Sequence, residues 1–129
     1  MSNQIKGVRL QASDFKSQQD GVYIDPVKIV YTPGMLLVWA EWCGHCQHFK
    51  PIFNEISKQM GLDFILASIE DTELQKGGKL ASKLGVEGFP TIMFFNEKGK
   101  ILETYNGERD KKSVLDNICK VYHKCITGK

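Results

Sequence analysis

The sequence of residues 40–51 is AEWCGHCQHFKP, in which Cys43 and Cys46 lie three residues apart. A Gly-His pair separates the two thiols, Trp42 precedes the first, and Pro51 follows the second by five residues. A close cysteine pair serves either as a redox couple or as half of a zinc site. The remainder of the chain has to decide between these two chemistries.

The composition is that of an ordinary soluble globular protein: of 129 residues, 42% are apolar and 25% are charged. This length predicts a single domain over residues 1–129, with a core that needs no disulfide staples. The net charge is +2, and the basic residues are interspersed with acidic ones. The sequence therefore excludes nucleic acid as a partner, and we expect a monomer.

The chain ends carry no recognisable targeting signal. The N-terminal MSNQIKGVRLQASDF lacks the apolar run of a signal peptide, and no stretch is long enough to span a membrane. The C-terminal CITGK is neither a prenylation box nor a retention signal. These features predict no membrane partner and a cytoplasmic location by default, with a lumenal or exported location left open. In a reducing compartment, a close cysteine pair is catalytic or metal-binding.

Alternating helical and strand patterns predict an α/β protein. The predicted strands cover residues 8–10, 35–40, 64–69, 91–95 and 100–105. Apolar residues at helical spacing predict one helix from the cysteine pair to about Met60, a second over Gly78–Leu84, and a third that Asp110 caps. This order is typical of a central mixed β-sheet flanked by helices on both faces.

Two segments are harder to place. Residues 16–34 contain the β-branched and aromatic run Val27–Tyr31, which several glycines and prolines flank. We predict an extra edge strand or hairpin arm there. At the other end, residues 123–129 form a short tail beyond the last helix.

The helix that follows the cysteine pair gives the two thiols different roles. Side chains three residues apart on a helix lie about 5–6 Å apart, so Cys43 and Cys46 can form a disulfide with little movement. The unpaired N–H groups and the dipole at a helix N-terminus favour a thiolate. Cys43 is therefore predicted to be the exposed nucleophile and Cys46 the buried thiol that resolves the mixed disulfide. Gly44 leaves room for a substrate chain, and His45 adds a cation when it carries a proton.

Zinc binding is the alternative, and it needs a second pair of ligands. The candidates are Cys119, His123, Cys125 and His48. Cys119 and Cys125 are six residues apart, about 9 Å along a continuous helix, so they cannot both reach one ion. We therefore predict no metal, and no cofactor beyond the protein's own disulfide. The same distance argues against a regulatory pair, leaving Cys119 as a small core residue and Cys125 as an exposed tail thiol.

The sequence WAEWCGHCQHFKP resembles the active site of the thioredoxin superfamily, and Gly-His between the cysteines is similar to a protein disulfide isomerase domain. A second segment, LASKLGVEGFPTIMFF at residues 80–95, resembles the part of that family that leads into a cis proline. The resemblance covers residues 7–122 and implies the thioredoxin fold. It also implies a cis Phe89–Pro90 bond beside Cys43, with Phe89 offering backbone hydrogen bonds to an extended substrate that Trp42 flanks.

The segment YNGERD, residues 105–110, resembles a third feature of the family. There an arginine swings toward the resolving cysteine and lowers its pKa, a role the resemblance implies for Arg109. One position departs from the family, because Leu37 stands where a buried carboxylate usually accepts the proton of the resolving thiol. The usual lysine partner of that carboxylate aligns with Leu66. Exchanging a buried ion pair for two leucines costs little stability, but it predicts slow resolution of mixed disulfides.

These features predict a thiol-disulfide oxidoreductase that exchanges electrons between the Cys43–Cys46 dithiol and the thiols or disulfides of protein substrates. Glutathione or a reductase is the expected electron partner. Isomerase-type domains have reduction potentials of about −180 mV, whereas that of thioredoxin is about −270 mV. The Gly-His pair therefore predicts that the domain acts as an oxidase or isomerase rather than as a reductant. The alternative is a low-turnover chaperone or scaffold module that holds clients on Cys43.

Overall fold

The computed structural model describes residues 4–125. Its strands are β1 (Val8–Arg9), β2 (Phe15–Gln18), β3 (Gly21–Ile24), β4 (Gly34–Trp39), β5 (Ile65–Glu70), β6 (Thr91–Phe95) and β7 (Ile101–Tyr105). Its helices are α1 (Gly44–Gln59), α2 (Asp71–Gln75), α3 (Leu80–Leu84) and α4 (Lys111–Tyr122), and Ala12–Asp14 form a 3-10 turn. The single-domain prediction over residues 1–129 and the predicted tail both extend beyond the described residues.

A mixed sheet of five strands forms the centre of the fold, in the order β1-β5-β4-β6-β7. β5 runs parallel to β1 and β4, whereas β6 is antiparallel to both β4 and β7. The central strand β4 has every residue buried. A strand covered on both faces is encoded by a continuous apolar run, which explains why the segment 35–40 predicted this strand correctly.

Helices cover both faces of the sheet, as predicted. One face is covered by α1 and α4, which bury Phe49, Phe53, Ile56, Val114 and Ile118 against it. The other is covered by α2 and α3, which bury Leu74, Leu80 and Leu84. Among the described helices, none combines the length and the apolar character needed to cross a bilayer.

Local signals set the ends of the helices. Asp110 caps α4 by accepting a 3.0 Å hydrogen bond from the backbone N–H of Ser113, as predicted. Gly85 ends α3 in a left-handed conformation with φ of 76°, which glycine adopts without the steric cost that other residues incur. The short helix α2 was not predicted, because its five residues are mostly polar and bury only Leu74.

Of the two alternatives predicted for residues 16–34, a hairpin arm forms at the start of the segment, whereas no edge strand forms over Val27–Tyr31. β2 and β3 pair antiparallel over residues 15–24, whereas residues 26–31 form consecutive turns. In these turns the backbone N–H of Tyr31 donates to the Pro26 carbonyl at 2.8 Å, and Val30 and Tyr31 have left-handed φ angles of 52° and 51°. Only Ile29 of the apolar run is buried. The β-branched residues suggested a strand, but the backbone hydrogen bonds of these turns hold the segment in a non-extended conformation.

The last helix carries a disulfide that the sequence analysis rejected. Cys119 and Cys125 are bonded, with their Cα atoms 4.4 Å apart. The predicted separation assumed that the helix continues to Cys125, but α4 ends at Tyr122 and His123 takes a left-handed conformation with φ of 58°. The chain therefore folds back toward Cys119. Cys119 is half-buried rather than a core residue, and Cys125 is exposed but is not a free thiol.

Replacing Cys125 with serine is expected to destabilise the oxidised protein by about 2 kcal/mol or less. The reason is that a cross-link closing a loop of this length lowers the conformational entropy of the unfolded chain, and this loss is equivalent to about that free energy. Urea unfolding of the parent and Cys125→Ser proteins, both purified without reductant, measures the difference. Coincident unfolding curves would show that the bond contributes nothing to stability.

Candidate active site

The junction between β4 and α1 places both cysteines of the pair. β4 ends at Trp39, and a turn closes when the Cys43 N–H donates to the Ala40 carbonyl at 3.1 Å. Cys43 is the N-cap of α1, and its Sγ accepts a 3.2 Å hydrogen bond from the backbone N–H of Cys46. Both cysteines are free thiols in this structure. One of the unpaired N–H groups at the start of the helix thus points at the front sulfur.

The two thiols are more alike in burial than the sequence predicted. Cys46 is fully buried, as expected, but Cys43 is only 6% exposed rather than open to solvent. The Cys43 thiol donates to the carbonyl of Phe89 at 3.5 Å, so the loop before β6 covers most of this residue. The surface at Gly44 is open, because a Cβ atom built there meets no heavy atom within 4 Å apart from its chain neighbours and the backbone of α1.

The loop that covers Cys43 contains the cis peptide bond. The Phe89–Pro90 bond is cis, as the resemblance implied. The ring of Phe89 lies against that of Trp42 in a T-shaped arrangement, with centroids 5.6 Å apart. Trp42 is 73% exposed, so this aromatic pair forms a wall beside the front thiol.

A groove of about 510 Å³ adjoins this wall. Phe89, Pro90, Tyr105 and Arg109 line it, together with other residues of segments 85–92 and 104–109. The Tyr105 hydroxyl donates to the backbone carbonyl of Glu108, which shapes the loop that carries Arg109. The groove therefore combines two aromatic residues with a largely polar lining that includes Arg109.

Electrostatics at the buried thiol are dominated by loss of solvent. Burial raises the pKa of Cys46 to about 12, and the neighbouring Cys43 acts in the same direction. The guanidinium of Arg109 lowers the pKa of Cys46, but by less. Leu37 and Leu66 lie in the same buried apolar cluster as Cys46. Position 37 therefore offers this thiol no carboxylate that could accept its proton.

The other predicted residues lie around the pair as follows. His45 is exposed in the first turn of α1, between the two cysteines, and Arg109 is exposed just before α4. Within residues 4–125, no three His, Cys, Asp or Glu side chains come together as metal ligands. Two candidates for a zinc site, Cys119 and Cys125, are bonded to each other.

The family model described as Thioredoxin matches residues 16–120. The chain belongs to the thioredoxin family. Among curated relatives, it is 35% identical over 111 residues to "Protein disulfide isomerase-like 2-1" of Oryza sativa subsp. japonica, an alignment that covers 85% of this chain and 28% of the rice protein. It is 33% identical over 85 residues to "Protein disulfide-isomerase" of Zea mays, with coverages of 64% and 16%. The chain thus spans under a third of these relatives.

A solved structure supports the same fold. The exposed lipoprotein thioredoxin Etrx1 of Streptococcus pneumoniae superimposes with a TM-score of 0.62 at 21% identity, over 83% of this chain and 98% of that one. This thioredoxin-family chain is thus similar, over most of its length, to one part of relatives that are named protein disulfide isomerases.

The raised pKa of Cys46 predicts how this thioredoxin domain responds to pH. Below its pKa a thiol gains thiolate tenfold with each pH unit, so resolution of a mixed disulfide on Cys43 should accelerate about tenfold per unit between about pH 7 and about pH 10. Stopped-flow reaction with the aromatic disulfide dithiobis(nitrobenzoate) measures this. Capture by Cys43 releases one coloured thiolate in a bimolecular phase, and attack by Cys46 releases a second in a unimolecular phase. A unimolecular rate that levels off near neutral pH would contradict the raised pKa.

Sequence reasoning missed one buried residue of α1. Lys50 is only 6% exposed, and its Nζ lies 4.8 Å from the centre of the Trp39 ring. A signal was present, because Lys50 lies four residues after Cys46 and three before Phe53, which is the spacing of the buried face of α1. This signal is weak because lysine is mostly found exposed to solvent.

Proposed function

We propose that this domain exchanges disulfides with protein substrates through the Cys43–Cys46 pair, and that it acts as an oxidase or isomerase. The observation that carries the proposal is that Cys43 caps α1 and accepts the N–H of Cys46 at 3.2 Å. A hydrogen bond from a helix N-terminus stabilises negative charge on sulfur, which makes Cys43 the attacking thiolate.

The reaction proceeds by two thiol-disulfide exchanges. The Cys43 thiolate attacks one sulfur of a substrate disulfide, which forms a mixed disulfide and releases the other substrate sulfur as a thiolate. The Cys46 thiolate then attacks the Cys43 sulfur, which closes the Cys43–Cys46 disulfide and releases the first substrate sulfur. The substrate gains two electrons and the domain loses two. Substrate oxidation is the reverse sequence.

The groove supports binding of an extended protein segment beside Cys43. The exposed ring of Trp42 and the half-buried Phe89 offer apolar contacts, and the backbone of the bend at Phe89, just before β6, is the expected hydrogen-bonding edge for a peptide. Arg109, at the groove margin, opposes the effect of burial on Cys46. Glutathione or a reductase resets the pair between cycles, and the domain works as a monomer.

Refolding of scrambled ribonuclease tests the proposal. The parent protein should restore ribonuclease activity in a glutathione buffer, whereas Cys43→Ser should not. Rapid reduction of insulin without net isomerisation of ribonuclease would contradict the oxidase or isomerase direction.

A second function, a thiol-anchored chaperone or scaffold with little turnover, is favoured by one observation. Burial raises the pKa of Cys46 to about 12, and Leu37 supplies no proton acceptor beside it, so mixed disulfides on Cys43 should persist. If the parent protein and Cys46→Ser hold the same amount of client at the same slow turnover, this function replaces the enzymatic one.

A further inference from the structure

Lys50 is an unusual residue in the part of the chain that the structure describes. It is 6% exposed, yet no acidic side chain within residues 4–125 forms an ion pair with it. Buried lysines are rare unless they are paired, because removing an ammonium from water is costly. Its one specific contact is with Trp39, whose ring centre lies 4.8 Å from Nζ. The attraction between a cation and an indole ring partly offsets the free-energy cost of removing the ammonium from water.

Helix geometry favours a position of the Lys50 ammonium near the catalytic pair. Long side chains on a helix lean toward the helix N-terminus and cover the preceding turn. Cys46 lies in that preceding turn, four residues before Lys50, and both residues are buried. Trp39 ends β4, directly before Ala40, whose carbonyl accepts the Cys43 N–H. The contact with Trp39 therefore places the ammonium beside the end of β4 that leads into the active-site turn.

The surroundings of Trp39 are polar enough to hold water. Trp39, Ser68, Arg9 and Glu70 help to line a cavity of about 200 Å³. The Trp39 Nε1 and Ser68 Oγ atoms are buried without a hydrogen-bond partner in the described protein, and the cavity exceeds the volume that one water needs. Ser68 is also the register partner of Leu37 on β4. A polar cavity large enough for water thus borders the position where the carboxylate is missing.

We propose that Lys50 is a positioning residue that stabilises the Cys46 thiolate while the mixed disulfide is resolved, in place of the missing carboxylate. This inference rests on the proposed function of the same pair. The Cys46 thiol gives its proton to water, and its thiolate then attacks the Cys43 sulfur and expels the substrate thiolate. The Lys50 ammonium lowers the cost of forming that buried anion. The other charged or titratable groups facing this region are Cys43 and Arg109 beside Cys46, and Arg9, Glu70 and Glu73 around the cavity.

The test is the unimolecular phase of the reaction with dithiobis(nitrobenzoate), which needs no protein substrate. Lys50→Met keeps the apolar stem but removes the charge. The unimolecular phase should therefore slow about tenfold at each pH below the pKa of Cys46, because a one-unit rise in the pKa of Cys46 lowers its thiolate fraction by that factor. Lys50→Arg keeps the charge and should remain within about threefold of the parent. The bimolecular capture phase should not change in either variant.

Lys58→Met is the matched control, since Lys58 lies on the same helix with a side chain that is 78% exposed, and it should leave both phases unchanged. Should Lys50→Met fail to fold, Lys50→Gln gives the neutral comparison. The proposal is overturned if the neutral variants resolve as fast as the parent, or if Lys50→Arg is as slow as they are. Failure of ribonuclease refolding with a normal unimolecular phase would instead count against the proposed function alone.

Discussion

Replacing Cys43 with serine is expected to abolish disulfide exchange, with a loss of at least about a thousandfold. A serine hydroxyl can take the N-cap position and accept the Cys46 N–H as the Cys43 sulfur does, so the fold should persist. It cannot form a mixed disulfide, however, and Cys46 is fully buried with its pKa raised to about 12. The remaining thiol of the pair is therefore a poor nucleophile. Release of the coloured thiolate from dithiobis(nitrobenzoate) measures the loss.

Two variants make this result interpretable. Cys46→Ser should still release one equivalent in the capture phase but no second equivalent, because the mixed disulfide on Cys43 has no resolving thiol. Replacing both Cys119 and Cys125 with serine removes the bond at the end of α4 without freeing a thiol, and it should leave both phases intact because the active-site pair is unchanged. Capture at the parent rate by the Cys43→Ser protein would mean that another thiol is the nucleophile.

Replacing Leu37 with glutamate should accelerate resolution about a hundredfold, the usual contribution of a well-placed general base. Leu37 is fully buried in the same cluster as Cys46 and Leu66. A carboxyl group at this position would have its pKa raised by burial, which brings it closer to that of a thiol and suits it to accept the proton of Cys46. The unimolecular phase of the aromatic disulfide reaction reports the effect.

The same substitution should lower stability by about 3 kcal/mol, because it replaces a well-packed leucine with a buried polar group. Urea unfolding measures this cost. Leu37→Gln is the matched control, since glutamine has similar size and polarity but cannot accept the proton, so it should destabilise without accelerating resolution. Equal resolution rates in the parent and Leu37→Glu proteins would refute the account of proton transfer.

The sequence predicted those parts of the fold and site that local chemistry determines. The apolar run 35–40 gave the central strand because that strand is buried on both faces. The cysteine spacing and the helical periodicity after it gave Cys43 as the cap of α1. The segment 80–95 was informative because it resembles the part of the thioredoxin family that leads into a cis proline. The Phe89–Pro90 bond is indeed cis.

The failures have two physical causes, which are local breaks in the backbone and contacts between segments distant in sequence. Whether Cys119 and Cys125 can bond depends on where α4 ends, and the left-handed residue His123 ends it before Cys125. The exposure of Cys43 depends on the distant loop that carries Phe89. Lys50 is buried because its ammonium packs over the Trp39 ring. The residue type alone predicts an exposed lysine, so this contact could not be foreseen from the sequence.

The most direct test of the central claim is equilibration of the protein with glutathione buffers of graded potential, followed by acid quenching and mass spectrometric mapping of the disulfides. If Cys43 and Cys46 form a catalytic couple of the oxidising type, they should form their disulfide reversibly in a two-electron transition with a midpoint potential of about −180 mV. A pair that never links in any of these buffers would contradict the account of the site. A midpoint near about −270 mV would contradict the oxidising direction.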